Sequence, residues 1–355
     1  MKIKINKLGE TPVFPEGSYG FGKYFTDLMF IQWYLISKGW YGAEITTYKD
    51  GFPWFHPGTS VLHYSQGIFE GLKAYRRNDG GINLFRPMKN AVRFNNSARR
   101  MAMPEISVDD HLEAIRKLVI VEQAWVPARP GTSLYIRPTM IATDQELGVH
   151  ASKTYLHYIL LCLAGDYFPQ GFEPVSVLIE NCYRRAAAGG TGEAKTGGNY
   201  SASLLASESA QEKGYSQVLW LDSQTGKNIE EVGAMNIMLV YGNKIVTPRL
   251  SGSILPGVTR DSIITLAPDL GYEIVEQIVP VEDMLKDIRS GNITEAFGCG
   301  TAAVVAPIGT FGFKGERVTV GSGDVGPVTQ RLRETLVAIQ YGDQPDEYGW
   351  VDRVT

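Results

Sequence analysis

Short apolar stretches with strand character alternate with amphipathic helical stretches on both sides of a break rich in glycine and proline. The break, residues 165–174, holds two prolines and two glycines, and no internal repeat is visible in the chain. Such alternation is typical of folds that combine helices with sheets, of the α+β or α/β class. At 355 residues the chain is long enough for two cores. We therefore predict an N-terminal domain at 1–168, a linker at 169–174 and a C-terminal domain at 175–355.

Turns and helix starts organise the N-terminal half. The sequence Asn-Asp-Gly-Gly at 78–81 is a turn signal, and it predicts a hairpin between residues 69–75 and 82–85. Pro87 suits the first turn of a helix whose apolar side is Ala91, Phe94, Ala98 and Met101. The other predicted elements are strands at 60–64, 133–139 and 155–161, and a helix from Ser107 to about Val126 with Asp110 in a capping-box position.

The C-terminal half repeats the alternation. Thr259 is the expected N-cap of one helix, and Gly271 its stop. Strands are predicted at 175–179, 218–221, 229–233, 235–240 and 294–297, and helices at about 201–213, 281–288 and 327–341. The tail after Gly342 is expected to be only partly ordered.

Composition excludes several classes of function. The formal net charge of −4 and the lack of a polybasic run give no reason to expect a nucleic acid or a membrane surface as partner. The three cysteines form no CxxC pair, and the five histidines show no metal-ligand spacing. The first residues lack the apolar core of a signal peptide. The cytoplasm is therefore the expected location.

One lysine, Lys195, lies between glycine-rich flanks in the sequence GGTGEAKTGGNY at 189–200. Glycine lets backbone approach a ligand closely, and a lysine in such a place can act as a nucleophile or bind an aldehyde. The alternative is a surface loop with a solvated lysine. Two further loops offer backbone N–H groups to a phosphate, at 255–259 before a helix and at 298–302 after a strand.

A lysine and a phosphate cradle are two of the three groups that pyridoxal 5′-phosphate needs; the third is an acid near the pyridine nitrogen. Glu231, at the end of a predicted strand, is the candidate for that acid. The neighbouring Glu230 competes with it, but strand alternation predicts that Glu230 faces solvent.

Several motifs together resemble the branched-chain amino acid aminotransferases, which are fold-type IV pyridoxal-phosphate enzymes. The motifs are HYSQ at 63–66, FEGLKA at 69–74, LFRP at 84–87, YIRP at 135–138, EAKTGGNY at 193–200, IEEVGAMN at 229–236, LPGVTR at 255–260 and GCGTA at 298–302. They occur in the order of the family. The resemblance implies a smaller N-terminal domain, a larger C-terminal domain with the cofactor between them, and a homodimer.

The resemblance also implies the role of each motif residue. Lys195 would form the Schiff base with the cofactor and shuttle the proton, Tyr200 would contact the phenolic oxygen, and Glu231 the pyridine nitrogen. Phosphate contacts are implied for Arg93, Val258, Thr259 and Thr301, with Arg185 in the same shell. The apolar substrate side chain would meet Phe21, Tyr64, Phe69, Tyr135 and Tyr167, its carboxylate Thr301 and Ala302, and the second carboxylate of glutamate Arg137.

The implied reaction is reversible transamination of L-leucine, L-isoleucine and L-valine with 2-oxoglutarate. A D-amino acid aminotransferase or an aminodeoxychorismate lyase shares the lysine and glutamate roles, but the aromatic residues and Arg137 argue against both. A non-enzymatic phosphate-binding module would leave Lys195, Tyr200 and Glu231 unexplained. Some relatives carry a CxxC redox pair after the GCGTA motif; here those positions are Ala303 and Ala306, so regulation of that kind is not expected.

Overall fold

The computed structural model describes residues 1–6, 9, 11–165, 167–168 and 171–355. The chain forms two compact units. The first comprises Met1–Pro169, Ala194–Gly197 and Ala338–Thr355, and the second Gln170–Glu193 and Gly198–Val337. The grouping differs from the predicted ranges because Lys195 and the C-terminal segment belong with the first unit, which thereby holds more residues than the second. Pro169 and Gln170 of the predicted linker lie outside the described residues.

A ten-stranded, mostly antiparallel sheet forms the first unit. Its strands are β1 (Lys4–Ile5), β2 (Phe21–Phe25), β3 (Leu28–Leu35), β4 (Gly39–Thr47), β5 (Gly67–Phe69), β6 (Leu72–Arg76), β7 (Ile82–Phe85), β8 (Ser133–Ala142), β9 (Thr154–Ala164) and β19 (Val351–Arg353). The order is β1-β4-β3-β9-β8-β6-β7-β19, with β2 beside β9 and β5 beside β8. The apolar β9 is central, as its sequence predicts, and β6 pairs with β7 in the predicted hairpin.

The helices of the first unit are α1 (Tyr48–Gly51), α2 (Ser60–Tyr64), α3 (Pro87–Arg100) and α4 (Val108–Val121), followed by a 3-10 turn at Gln123–Trp125. Helix α3 begins at Pro87 and buries Ala91, Phe94 and Ala98, which confirms the predicted face. Ala114, Ile115, Leu118 and Val119 of α4 join the main core cluster with residues of β3, β8 and β9.

Three predictions for this unit are wrong in detail. Residues 60–64 form helix α2 instead of a strand, because a five-residue apolar run carries too little periodicity to separate the two. Helix α4 ends at Val121, five residues early, and Ser107 caps it without a side-chain hydrogen bond. The C-terminal tail is ordered, since β19 pairs with β7.

Nine strands form the sheet of the second unit. They are β10 (Val175–Ile179), β11 (Gln217–Leu221), β12 (Ile229–Val232), β13 (Met235–Tyr241), β14 (Lys244–Pro248), β15 (Glu273–Gln277), β16 (Glu295–Gly300), β17 (Val304–Phe313) and β18 (Glu316–Thr319). Strand β12 pairs with both β11 and β13, so the pairings β12-β11-β10-β17-β16-β13 return to β12 and close a ring of six strands. Strands β14 and β15 extend from β13, and β18 lies beside β17.

The helices of the second unit include α5 (Gly197–Ser201), α6 (Leu204–Glu212), α7 (Val258–Asp269), α8 (Val281–Arg289) and α9 (Pro327–Tyr341), of which α5 and α9 each run past a unit boundary. Helix α9 has the predicted bounds, whereas the helix predicted at 201–213 is interrupted between α5 and α6. Across the described ranges, no helix combines the length and apolar character that a membrane crossing requires.

Candidate active site

The loop that carries Lys195 is held by backbone contacts within the first unit. The Lys195 N–H donates to Ser97 Oγ at 2.9 Å, and the Lys195 carbonyl accepts from the Phe69 N–H at 3.0 Å. The next residue, Thr196, forms a β-bridge with Ile68. The backbone of Lys195 is therefore fixed against α3 and β5, and the residue is half-buried, unlike a lysine on a solvated loop.

The amine of Lys195 lies over an aromatic ring, and two glycines with free space at their Cβ positions follow the lysine in the chain. Its Nζ is 5.0 Å from the ring centroid of Phe69. A Cβ added at Gly197 or Gly198 would meet no heavy atom of the described residues within 4 Å. The glycines that follow the lysine thus place no side chain next to this loop.

A buried ion pair on the first unit joins α3 to the segment before β6. Arg93 donates to Glu70 through Nε at 2.6 Å and Nη2 at 2.9 Å. Glu70 also accepts from Asn90 Nδ2 at 2.8 Å and from the Gly71 N–H at 3.0 Å. Burial alone would raise the pKa of Glu70, but Arg93, with a smaller contribution from Lys195, outweighs it and holds that pKa below its ordinary value. Glu70 is thus a fixed anion that orients Arg93.

Five residues predicted to bind substrate form one aromatic wall in the first unit. Phe21 packs edge-on against Tyr135 and Tyr167, with ring centroids 4.7 and 5.7 Å apart. The guanidinium of Arg137 lies 4.8 Å from the Phe69 ring centroid and donates to the Tyr135 hydroxyl at 3.2 Å. This wall, made of Phe21, Phe69, Tyr135, Arg137 and Tyr167, combines apolar surface with one positive charge.

Tyr64 is not part of the aromatic wall. It lies at the end of α2, it is exposed, and its hydroxyl donates to the Leu147 carbonyl. The sequence predicts a strand at residues 60–64, but these residues form helix α2, and the Tyr64 side chain reaches Leu147 instead of the wall. The contribution of Tyr64 to substrate binding stays a prediction.

Glu231, the predicted pyridine acid, lies on β12 in the second unit. It is 3 % exposed, forms an ion pair with Arg185 and accepts from Asn236 Nδ2 at 3.3 Å. Arg185 also donates to the carbonyls of Ser253 and, at 3.3 Å, Gly192. The carboxylate and its partners therefore hold together β12, β13 and the loops around residues 192 and 253.

Glu230 is buried, so the expectation that it faces solvent is wrong. It is 7 % exposed, and its Oε1 accepts from Ser251 Oγ at 3.3 Å and from Ser253 Oγ. Burial raises the pKa of Glu230, and the hydrogen bonds from the serines act in the opposite direction. Strand alternation does direct Glu230 and Glu231 to opposite faces, but protein covers both faces.

The predicted phosphate cradle coincides with the start of α7. The helix begins at Val258 with Gly257 as N-cap, so Thr259 lies in the first turn and is not the cap. The N-cap residue has no side chain of its own to cap this end, and a Cβ at Gly257 would meet Asn236 Oδ1 at 2.0 Å. Only glycine fits here.

The remaining predicted residues of the second unit lie on turns or helix starts. Thr301 and Ala302 are half-buried in the turn between β16 and β17, and Tyr200 is half-buried in α5. Asn199 ties this helix to the glycine-rich loop, since its Nδ2 donates to the Thr191 carbonyl at 2.7 Å.

Sequence reasoning assigned no role to several residues that position the site. Glu70 and Asn236 stand inside quoted motifs, FEGLKA and IEEVGAMN, but their partners are distant in sequence or on another strand. Ser97 and Ser253 gave no signal, because a serine that binds backbone or a carboxylate resembles any other serine in the sequence.

Comparison with known proteins places the chain in a family. Residues 67–311 match the model of the family described as amino-transferase class IV. The chain belongs to this family of class IV aminotransferases.

Several curated relatives are similar over nearly the whole chain. A probable branched-chain-amino-acid aminotransferase of Streptomyces coelicolor is 50 % identical over 94 % of this chain and 91 % of its own. The branched-chain-amino-acid aminotransferase of Mycolicibacterium smegmatis is 46 % identical over 94 % of this chain and 92 % of its own. The branched-chain-amino-acid aminotransferase 2 of Bacillus subtilis is 44 % identical with the same coverage, 94 % and 92 %.

Solved structures share the fold. The branched-chain amino acid aminotransferase of Escherichia coli aligns with a TM-score of 0.74 and 28 % identity, covering 94 % of this chain and 100 % of its own. The T.th. enzyme of the same name, solved with pyridoxamine 5′-phosphate, aligns with a TM-score of 0.76 and 27 % identity over 92 % and 98 %. These structures support the fold-type IV architecture expected from the motifs.

Proposed function

We propose that this protein is a pyridoxal-phosphate enzyme that reversibly transfers the amino group of L-leucine, L-isoleucine or L-valine to 2-oxoglutarate. The observation that carries the proposal is Lys195, which is fixed by Ser97 and Phe69 beside an aromatic wall that contains Arg137. The names of the curated relatives support the same substrate class.

The residues fit the cofactor. Its aldehyde can react with the amine of Lys195, which lies 5.0 Å from the Phe69 ring centroid in a loop whose backbone is fixed. Its phosphate is suited to the start of α7, because the N-terminal end of a helix carries a positive dipole and presents backbone N–H groups, and the N-cap residue here is glycine. Its pyridine nitrogen is suited to Glu231, a buried acid at 3 % exposure. Tyr200, Arg93, Arg185, Val258, Thr259 and Thr301 complete the proposed cofactor contacts.

When bound, pyridoxal phosphate supplies a ring that withdraws electrons from the substrate carbon. In our proposal Nζ of Lys195 would carry the proton between the substrate Cα and the C4′ atom of the cofactor, in opposite directions in the two halves of the reaction. Glu231 would keep the ring nitrogen protonated, and Arg185 and Asn236 orient that carboxylate. Tyr200 would donate a hydrogen bond to the cofactor's phenolic oxygen.

The aromatic wall accounts for the two kinds of substrate. Burial of a leucine-sized side chain stabilises the complex by about 1.5–3 kcal/mol, and Phe21, Tyr135 and Tyr167 provide such surface. Arg137, held by Tyr135, is placed to bind the second carboxylate of glutamate. We assign the substrate α-carboxylate to the turn with Thr301 and Ala302. Tyr64 is proposed to reach the pocket of a partner subunit.

Substitution of the lysine tests the proposal. Lys195→Ala should lose cofactor absorbance and lower L-leucine transamination by at least about 10³-fold. Lys314→Ala changes an exposed surface lysine and is the matched control. Full activity in Lys195→Ala would overturn the proposal. D-Alanine as amino donor should give little product, and a preference for it over L-leucine would instead indicate a D-amino acid aminotransferase.

We also propose a cytoplasmic homodimer. Large apolar side chains are exposed in two segments. Trp54 and Leu62 lie between β4 and β5, and Leu147 and Val149 lie between β8 and β9. Burial of such residues in a second copy is more favourable than exposure to water. The three cysteines are free thiols, as suits a reducing compartment. Sedimentation at several concentrations should give twice the mass of one chain, 39.1 kDa, and a single-chain mass throughout would contradict the dimer.

A further inference from the structure

A cavity of about 390 Å³ lies in the second unit on the side of β12 that Glu230 faces. Its lining includes Glu230, Arg249, Leu250, Ser253 and Ile278. The volume lies within the range of small-molecule sites. Glu231, the proposed cofactor acid, is directed to the opposite face of the strand, so this cavity is separate from the cofactor contacts assigned above.

Glu230 brings a buried negative charge to the cavity wall. Both hydroxyls that bind it, from Ser251 and Ser253, donate to Oε1. Within the described part of the chain, no donor contacts Oε2. A carboxylate at 7 % exposure with one oxygen unused favours a ligand that carries a positive charge and N–H donors.

Arg249 brings a positive charge to the same cavity. Its backbone N–H donates to the Gln277 carbonyl at 3.0 Å, which holds the residue in place, whereas its guanidinium forms no ion pair with a described residue. The guanidinium nitrogens of Arg249 therefore lie beyond ion-pair distance of the Glu230 carboxylate oxygens. Both charged groups remain available to a ligand. Leu250 and Ile278, each about half exposed, supply apolar surface.

A positive charge, a negative charge and an apolar group are the three parts of an apolar α-amino acid. We propose that this cavity binds such an amino acid, with its ammonium on Glu230, its carboxylate on Arg249 and its side chain against Leu250 and Ile278. The binding site does not depend on the proposed function.

A chain of contacts leads from the cavity to the proposed cofactor acid. Ser253 donates to Glu230 through its hydroxyl, and its carbonyl accepts from Arg185, which pairs with Glu231. An ammonium bound to Glu230 would weaken the pull of that carboxylate on Ser253 and, through Arg185, change the field at Glu231. This coupling, unlike the site itself, rests on the proposed function.

The test uses holoenzyme that has been reduced with borohydride, so that the cofactor is fixed to the lysine and cannot react with amino acids. The mass of the Lys195 peptide reports whether the linkage formed; if no linkage is found, the proposed function fails while the binding measurement remains valid. L-Leucine is then titrated by calorimetry into wild type, Glu230→Gln, Arg249→Gln and the matched surface control Arg289→Gln.

We expect L-leucine to bind wild type and Arg289→Gln equally, and to bind Glu230→Gln and Arg249→Gln at least about 10-fold more weakly. L-Leucinamide, which lacks the carboxylate, should bind wild type and Arg249→Gln alike. No binding of L-leucine to wild type up to its solubility limit, or equal affinity in all four proteins, would overturn the site.

The coupling has its own readout in the same samples. The absorption band of the reduced cofactor should shift when L-leucine is added to wild type and stay in place in Arg249→Gln. Binding without a shift in wild type would overturn the coupling and leave the site intact.

Discussion

Two buried arginine–glutamate pairs, one in each unit, are built differently. Glu70 has no exposed surface and receives four hydrogen bonds, two from Arg93 and one each from Asn90 and the Gly71 N–H. Glu231 is 3 % exposed, and its partner Arg185 forms an ion pair with that carboxylate while it donates hydrogen bonds to two backbone carbonyls.

The difference shows what each pair is suited to. The anion in the first pair is saturated by fixed donors, so Glu70 serves to hold Arg93 and the segment before β6 in place. In the second pair Arg185 also donates to the carbonyls of Gly192 and Ser253. The carboxylate of Glu231 can therefore interact with a ligand group while Arg185 keeps these acceptors. The first pair therefore bears mainly on stability, and the second mainly on activity.

The largest effect is expected from Glu70→Gln. Loss of the negative charge breaks a buried ion pair by removing one partner, which should lower the free energy of unfolding by about 3–5 kcal/mol. Glu316→Gln, in an exposed pair with Arg289, should cost less than about 1 kcal/mol and serves as the control. Denaturant titration measures both, and similar losses in the two variants would contradict a special role for the first pair.

The surroundings of the first pair also give a pH dependence. His111 packs against Phe94 on α3, and burial lowers the pKa of His111 to about 4, with Glu70 opposing the shift. The unfolded state, with the ordinary pKa of 6.5, therefore binds the proton more tightly, and stability falls as pH decreases from 6.5 toward 4.

In His111→Phe, the free energy of unfolding should decrease between pH 6.5 and 4 by about 3 kcal/mol less than it does in wild type. Unfolding free energies of wild type and variant at several pH values give the difference. It includes the effect of His111 on the buried His157, whose ring centroid lies 5.2 Å away and whose pKa is lowered by burial and by His111. The exposed His56→Phe is the matched control substitution. A His111→Phe profile parallel to that of wild type would show that the histidine is not held neutral.

Substitution in the second pair should separate activity from stability. Glu231→Gln should lower the transamination rate by about 100-fold, because an uncharged side chain no longer holds a proton on the cofactor's ring nitrogen. Its loss of stability should be smaller than that of Glu70→Gln, because Arg185 keeps the carbonyls of Gly192 and Ser253 as acceptors. Initial rates and denaturant titrations on the same samples measure the two effects. A larger loss of stability in Glu231→Gln than in Glu70→Gln would contradict the comparison.

The smallest effect is expected from Asn236→Ala. Its amide donates to Glu231 at 3.3 Å and to the Leu255 carbonyl at 3.0 Å, and loss of these bonds should cost about 1 kcal/mol. The pH profile of the rate should shift as well, because the carboxylate loses a donor. An unchanged profile would assign Asn236 to structure alone. Asn292→Ala, which removes an exposed hydrogen bond to Asp287, is the control.

Local patterns in the sequence predicted most elements of the fold. The helix at 327–341, the hairpin of β6 and β7 and the apolar face of α3 were predictable because a turn, a proline and a 3.6-residue period act over short distances. Ten strands were not predicted, namely β1 to β5, β14, β15 and β17 to β19, and α2 was predicted as a strand. Strands and single-turn helices depend on the neighbours they pack against, which a local window does not contain.

The sequence by itself determined which residues matter chemically: a glycine-flanked lysine, the glutamate of the IEEVGAMN motif and the glycine before α7, each inside a motif of the class IV aminotransferases. The tertiary structure alone decided how they are supported. Arg93 meets Glu70 across 23 positions, Lys195 meets Ser97 across 98, and Glu230 is buried by two serines from another loop. Chemical identity is carried by residue type and local spacing, whereas burial, ion pairing and the closure of six strands into a ring depend on contacts between distant segments.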